Sequence, residues 1–291
     1  MSSYAGRTIA LASQHGKERV LARPLRQGLG LTLQRAMTVN TDLLGSFSGE
    51  YPRPEDALAT CRLKAEAGMD ALGLDLGIAS EGAFGPHPVL PFLPIGYEWL
   101  AFVDRRHQLT ISEQAISPRT NYRSFKAATL EASLGWLEQV GFPSHAVMVG
   151  LPSSTSAATR VPPSVDWLAK GVHSPGELAR WVAIAAQRSE DGMAWLETDM
   201  RAHCNPTRMA SIRRLAFQLV RRVNTRCPAC AAPGWGLVRT IGGLPCSSCG
   251  LATELVAFEE FGCSRCSYTE QRPRKDRLVA ADPGHCPYCN P

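Results

Sequence analysis

The chain has 291 residues, 44% of them hydrophobic and 20% charged, enough for one sizeable core plus an appendage; this excludes a mini-protein and a wholly disordered chain. Apolar runs such as Ala146 to Leu151 stop far short of the roughly 18 residues of a membrane-spanning helix, and the opening MSSYAGRTIALAS lacks a secretory layout, so a cytoplasmic address without a membrane partner is expected. Charge is lopsided, with 19 Lys and Arg against 20 Asp and Glu in residues 1–204, but 12 against 6 in 205–291.

In chain order, residues 7–13 (RTIALAS) read as a short buried strand, followed by the loop QHGKE and a helical stretch from Arg19 toward Gly28, which Pro24 is expected to interrupt or kink. A glycine-containing joint between strand and helix points backbone N–H groups and the positive helix end at an anion, and Lys17 adds a point charge. Next, NTDLLGSFSGEYPRPEDA is turn-rich and carries Asp42 and Glu50. A helix from about Glu55 to Gly68 holds Lys64. After Leu72, GLDLGIASEGAFGPHP reads as a strand that breaks into a Gly-rich loop bearing Asp75, Glu81 and His87. Carboxylates on loops at strand ends suit a Mg²⁺-phosphate site, because that ion prefers oxygen ligands. Singly each reads as a surface acid; their concentration near one sheet edge is the signal.

Further on come Thr120-Asn121-Tyr122, a helix around Phe125 to Val140, the strand-like HAVMVGL, a Ser/Thr/Pro-rich loop at 152–164 that reads as a lid or a tolerated insertion, and Lys170-Gly171. Glu197, Asp199, Arg201 and His203 then alternate, so an extended segment would project all four from one face. A ligand site and an interdomain salt-bridge network are both open readings there. Asn205-Pro206-Thr207 marks a helix start, and Met209, Ile212, Leu215, Ala216 and Leu219 follow at helical spacing. Thr207 and Arg208 lie in its first turn, within reach of an anion. There is no nucleophilic triad.

Eight of the ten cysteines form four pairs of one spacing: Cys227/Cys230, Cys246/Cys249, Cys263/Cys266 and Cys286/Cys289. Two such knuckles complete a tetrahedral four-thiolate shell, so four make two structural zinc sites with no open coordination position. Sequential pairing of the knuckles needs the shortest loops, and crossed pairing stays open. Cys61 and Cys204 read as buried small hydrophobes. Eight thiolates on two Zn²⁺ would reduce the tail's surplus to about +2, which weakens its case for nucleic acid. The chain thus divides into an α/β body, 1–222, with a mixed sheet flanked by helices, and a tandem zinc-ribbon domain, 223–291.

The phrases SQHGKE, NTDLLGSFSGE, ASEGAFGPHP, ETDMRAHCNPTRM, GLPCSSCG and CPYCNP resemble an uncharacterised bacterial family, domain of unknown function 6671, across almost the whole chain. More loosely, IALASQHGK, PEDALATCRLKA, LGLDLGIASEGAFG and NPTRMASIRRLA fall in the order of the motifs of the inosine-triphosphate pyrophosphatase superfamily and its Maf-like members. That resemblance implies a fold of that type. It implies Ser13 and Lys17 on phosphates, Glu50 and Glu81 on Mg²⁺ with Asp75 as a weaker candidate, Lys64 neutralising a triphosphate, and Arg208 on base or phosphate. His15 stands where that pattern has Asn, and Ala-Ser-Glu-Gly replaces its paired acidic loop. The expected function is a Mg-dependent hydrolase of a nucleotide or other phosphorylated small molecule, with Glu50, Glu81, Lys17 and Lys64 catalytic and Ser13, His15, Asp75, His87, Glu197, Asp199, Arg201 and Arg208 binding. The competing class is a nucleic-acid-binding module gripping through Arg272, Arg274, Lys275 and Arg277, or a protein adaptor built on the ribbons.

Overall fold

A computed structural model describes residues 3–45, 55–87, 90, 92–152 and 165–291. Glu50 and the loop 153–164 lie outside the described residues.

The first sheet has the order β2-β1-β3-β4-β5. Strand β1 (Thr8–Leu11), second in that order, pairs in parallel with β2 (Thr32–Arg35) on one side and β3 (Leu76–Pro86) on the other. Helix α1 (Glu18–Leu29) links β1 to β2, and α2 (Ala57–Leu72) links β2 to β3. Side chains alternate across a strand, so β1 sends Ile9 and Leu11 to one face and Ala10 to the other. Ile9 and Leu11 pack with Leu21, Leu25 and Leu29 of α1, whereas Ala10 packs with Cys61, Ala65 and Met69 of α2. The two helices therefore cover opposite faces, and the direction of winding reverses at β1. Strands β4 (Pro94–Asp104) and β5 (Leu109–Ser117) extend the sheet antiparallel.

Two local expectations are corrected. Helix α1 runs through Pro24, which is buried in it, and ends at Gly30 with φ 69°; the core contacts of Leu21 and Leu25 outweigh the lost hydrogen bond. The stretch around Glu81 is no loop but continuous strand, paired with β4 from Leu76 to Pro86. Gly82 serves close approach there, since a Cβ would stand 2.4 Å from Arg208 Nη2 and 2.7 Å from Glu98 Oε2.

Residues 124–198 build a second, antiparallel sheet, order β6-β9-β7-β8: β6 (Ser124–Ala127), β7 (Val147–Pro152), β8 (Val165–Val172) and β9 (Ala194–Thr198). Helices α3 (Leu130–Val140) and α4 (Pro175–Arg188) cover it through Trp136, Leu137, Leu178 and Val182. The body thus has separate apolar cores. Helix α5 (Pro206–Asn224), capped by the Asn205 side chain, returns to the first sheet and lays Ile212, Leu215 and Leu219 beside α1.

The tail is a three-stranded antiparallel sheet of β10 (Gly236–Gly242), β11 (Val256–Gly262) and β12 (Thr269–Pro273). Arg222 of α5 fastens it to the body by donating to the carbonyls of Ser112 on β5 and of Gly234 and Leu237 in the tail. Among the described residues no helix is long and apolar enough to cross a membrane.

Candidate functional site

Strand β1 ends at Leu11, level with Ile78, while β3 continues. Beyond Leu11 the sheet therefore opens into a crevice at the carboxyl end of the strand where the winding reverses, the place where open α/β sheets bind ligands. A solvent-open hollow of about 420 Å³ lies there, and Ser13, His15, Lys17, Asp42, Lys64, Ser80, Glu81 and Arg208 are among the residues that line it. The sequence placed six of these at a site: Ser13, His15, Lys17, Lys64, Glu81 and Arg208.

Lys17 stands at the N-cap of α1, after Gly16 in the left-handed region at φ 67°. It is 8% exposed, and its Nζ donates to the Ser80 carbonyl at 2.8 Å. Burial pushes its pKa down to about 8, helped by the charge of Arg208 and opposed by Glu98 and Glu81. Lys64 reaches in from α2; its Nζ meets Glu81 Oε2 at 2.7 Å and the Gly45 carbonyl at 3.3 Å. Arg208 is spent on the protein. It holds Glu98 through Nε at 3.0 Å and Nη2 at 3.1 Å, donates from Nη1 to the Met200 carbonyl, and lies over the Phe84 ring at 5.1 Å. Of the three cations, Lys17 alone has no carboxylate within hydrogen-bond distance among the described residues. Beside it the Ser80 hydroxyl is buried and without a partner among the described residues.

At the mouth, His15 Nε2 meets Asp42 Oδ1 at 3.3 Å and its ring stacks on His203 with centroids 5.2 Å apart. The His15 hydrogen bond holds the Asp42 carboxyl below the usual range, against partial burial. Burial, then the neighbouring His15 and Arg201, push His203 down. Asp199 is fully buried; burial would raise its pKa, but the Arg201 guanidinium, 2.6 Å away, and its backbone N–H hold it low. Asp199 and Arg201 therefore form a closed pair behind His203.

Other expected members fall elsewhere. Asp75 precedes β3 and pairs with Arg7 at 2.6 Å, at the opposite end of β1. His87 closes the β3–β4 turn, accepting the Leu90 N–H on Nδ1. Glu197 does not share a face with Arg201 and His203, because β9 ends at Thr198 and the chain turns into a short 3-10 helix, Ala202–Cys204. It stays on β9, where burial pushes its pKa up to about 7. Thr207 is engaged by His145, Nε2 to Oγ1 2.9 Å. Ser80 and Glu98 went unforeseen as site members; Gly82, small where β3 crosses a buried ion pair, was the available signal.

The cysteines form two groups, Cys227, Cys230, Cys263 and Cys266 and then Cys246, Cys249, Cys286 and Cys289. The pairing is crossed, not sequential. Strands β10 and β11 are antiparallel with Gly236 opposite Gly262, so the knuckle before β10 meets the knuckle after β11. Strand β12 then carries the chain back to the other end, where the last knuckle meets the second. Within each group, sulfur separations between the two knuckles are 3.8 Å for Cys227–Cys266, 3.6 Å for Cys230–Cys263, 3.9 Å for Cys246–Cys289 and 3.6 Å for Cys249–Cys286. A tetrahedron with 2.3 Å metal–sulfur bonds has edges of about 3.8 Å, whereas a disulfide needs about 2.05 Å. Each group could hold one zinc ion. Backbone N–H groups of Ser248, Arg265 and Cys266 point at the sulfurs, as thiolate ligands require. Among the described residues no other cluster of His, Cys, Asp and Glu has metal-binding spacing.

The tail's basic residues are mostly neutralised in place. Arg272 pairs with Glu270 at 2.8 Å, Arg274 with Asp276 at 2.6 Å, and Lys275 lies 3.9 Å from Glu259.

Fold and site define an α/β body with a double four-cysteine tail. The chain belongs to the family described as Domain of unknown function (DUF6671), which matches residues 64–291. No curated protein and no solved structure matches it, so the likeness to inosine-triphosphate pyrophosphatases rests on motif order alone.

Proposed function

We propose that the hollow beyond β1 receives the phosphoryl group of a phosphorylated small molecule, a nucleotide in the fuller reading, and that the protein hydrolyses it. The observation that carries this is Lys17: a buried ammonium with, among the described residues, one hydrogen bond, beside a buried hydroxyl that has no partner among them, at the start of a helix. An anion would satisfy the ammonium and the hydroxyl and would lie at the positive end of α1, since an ammonium offers three N–H donors. Lys64 adds a second cation, oriented by Glu81. The Asp42 contact favours the tautomer with His15 protonated on Nε2, which leaves Nδ1 to take a proton from an attacking water.

The described donor set, which leaves out Glu50, does not fit a resident Mg²⁺. Of the described carboxylates lining the hollow, Glu81 is tied to Lys64 and Asp42 to His15, and no step is routed through the ion. The cysteine groups support two structural zinc ions, and reduced thiolates suit a cytoplasmic address.

The test is calorimetric titration with phosphate, pyrophosphate and a nucleotide panel, with and without EDTA, beside a phosphate-release assay. Lys17→Met should abolish binding, and His15→Ala should retain binding and lose turnover. Undiminished pyrophosphate affinity in Lys17→Met would remove the site.

A further inference from the structure

We propose that the outer face of helices α1 and α5 grips the phosphate backbone of a nucleic-acid duplex without reading its sequence, so that the body, and not the cysteine tail, is where nucleic acid binds. This surface is separate from the hollow beyond β1 and does not depend on the phosphate reading above.

The two helices lie side by side. The Asn224 side chain donates to the Gly28 carbonyl at 2.9 Å, a Cβ on Gly28 would strike Val220, and His203, ahead of α5, meets Gly16, ahead of α1. They therefore run in the same direction, with their apolar sides turned inward: Leu21, Leu25 and Leu29 on α1, and Ile212, Leu215 and Leu219 on α5. Opposite that stripe on α1 stand Arg19, Arg23 and Arg26, at i, i+4 and i+7, while α5 carries Arg213, Arg214 and Arg221; all six are exposed.

No acid answers these charges. Glu18 is the one carboxylate in either helix, and it pairs with Arg35 at 3.1 Å. The other ion pairs of the two helices are Arg208–Glu98 and Arg222–Glu113, and among the described residues no carboxylate lies within ion-pair distance of the six. Arg23 and Arg214 bond to neutral groups, the Gln27 amide at 3.2 Å and the Ser211 hydroxyl at 2.9 Å. Like charges three and four residues apart on a helix repel, so the cluster adds nothing to the fold and faces outward to a polyanion. The tail differs, since Arg272 and Arg274 already hold Glu270 and Asp276.

A duplex backbone carries one negative charge per about 1.7 Å of its axis, and a guanidinium meets phosphate through two parallel hydrogen bonds. From Arg19 to Arg26, and again from Arg214 to Arg221, each row covers about 10 Å of helix, enough to meet several phosphates. A single strand would want aromatic platforms for its bases, and Phe217, 37% exposed, is the one aromatic residue on either helix. A membrane surface would take an apolar helix face, which both helices keep in the core.

The experiment follows fluorescence anisotropy of a labelled duplex of about 20 base pairs, as RNA and as DNA, from about 0.05 to 0.2 M salt, beside the corresponding single strands and vesicles containing phosphatidylserine. The full-length chain is compared with a triple variant on α1 (Arg19→Gln, Arg23→Gln, Arg26→Gln), a double variant on α5 (Arg214→Gln, Arg221→Gln) and a tail control (Arg272→Gln, Lys275→Gln). Glutamine is a good helix former, so the melting temperatures should hold; should one helix variant melt early, the other decides. Wild type should bind duplex with an affinity that falls steeply with salt. Each helix variant should bind tenfold or more weakly and flatten the log–log salt slope by about 0.9 per lost phosphate contact, while the tail control binds as wild type; the duplex held more tightly names the nucleic acid. No duplex binding at the lowest salt, well-folded helix variants that bind as wild type, a tail control that weakens as much as they do, or tighter binding to single strands or vesicles would each overturn the proposal.

Discussion

The hollow beyond β1 and the cysteine tail are held together on different plans. Around the hollow, apolar clusters on both faces of the sheet bear the fold, and the charged groups sit in a frame that would persist without them. In the tail, the buried apolar residues are few, chiefly Ala232, Trp235, Leu244 and Ala281, and cysteine sulfurs occupy the remaining interior. The lesson is that the tail's stability resides in its four-sulfur groups, whereas in the body stability and site chemistry pull against each other at Lys17.

The largest effect should come from the tail, where a structural zinc contributes on the order of 10 kcal/mol. Changing Cys246, Cys249, Cys286 and Cys289 together to Ser should leave one zinc per chain by elemental analysis, because the other group stays whole; sequential pairing would leave none. Protease sensitivity should rise in the tail and not in the body. In the body, Glu98→Ala strands Arg208 without its counter-charge and should cost about 3–5 kcal/mol in denaturant unfolding. Gly82→Ala pushes a methyl into that same pair and should cost about 1–3 kcal/mol.

Lys17→Met should act in the opposite sense, raising the melting temperature of the ligand-free protein while removing phosphate affinity. The pH dependence follows. The Lys17 pKa is about 8 folded, against an ordinary 10.5, so between these values the unfolded chain binds more protons and stability rises with pH. Below pH 8 the full cost of the buried charge is present. A wild-type melting curve series should show this rise and the Lys17→Met series should lack it. Anion affinity should weaken as pH passes upward through 8. The smallest effect is Asp75→Asn: loss of its partly exposed pair with Arg7 should cost at most about 1 kcal/mol and leave ligand binding untouched.

Much of the hollow was legible because its parts sit on short-range signals. A strand-Gly-helix joint announces Lys17, and Asn205 before Pro206 announces the turn that carries Arg208. What eluded the sequence depends on three-dimensional pairing. Asp75, Glu81 and His87 stand before, on and after one strand, whose eleven residues of extended chain spread them from one end of the sheet to the other, so nearness in sequence misled. Glu197 and His203 were separated by a turn that breaks the alternation. The knuckles were unmistakable, yet loop length alone favoured the wrong partners, because antiparallel strands bring together alternate chain reversals, not successive ones.

The crossed cysteine groups also bear on how the protein is made. A chain leaving the ribosome can close its first sulfur cage once Cys266 has emerged, but Cys246 and Cys249 must wait, solvent-facing and able to capture stray soft metals or oxidants, until Cys289 has been translated. Zinc supply during that interval would set how much of the newly made polypeptide matures correctly.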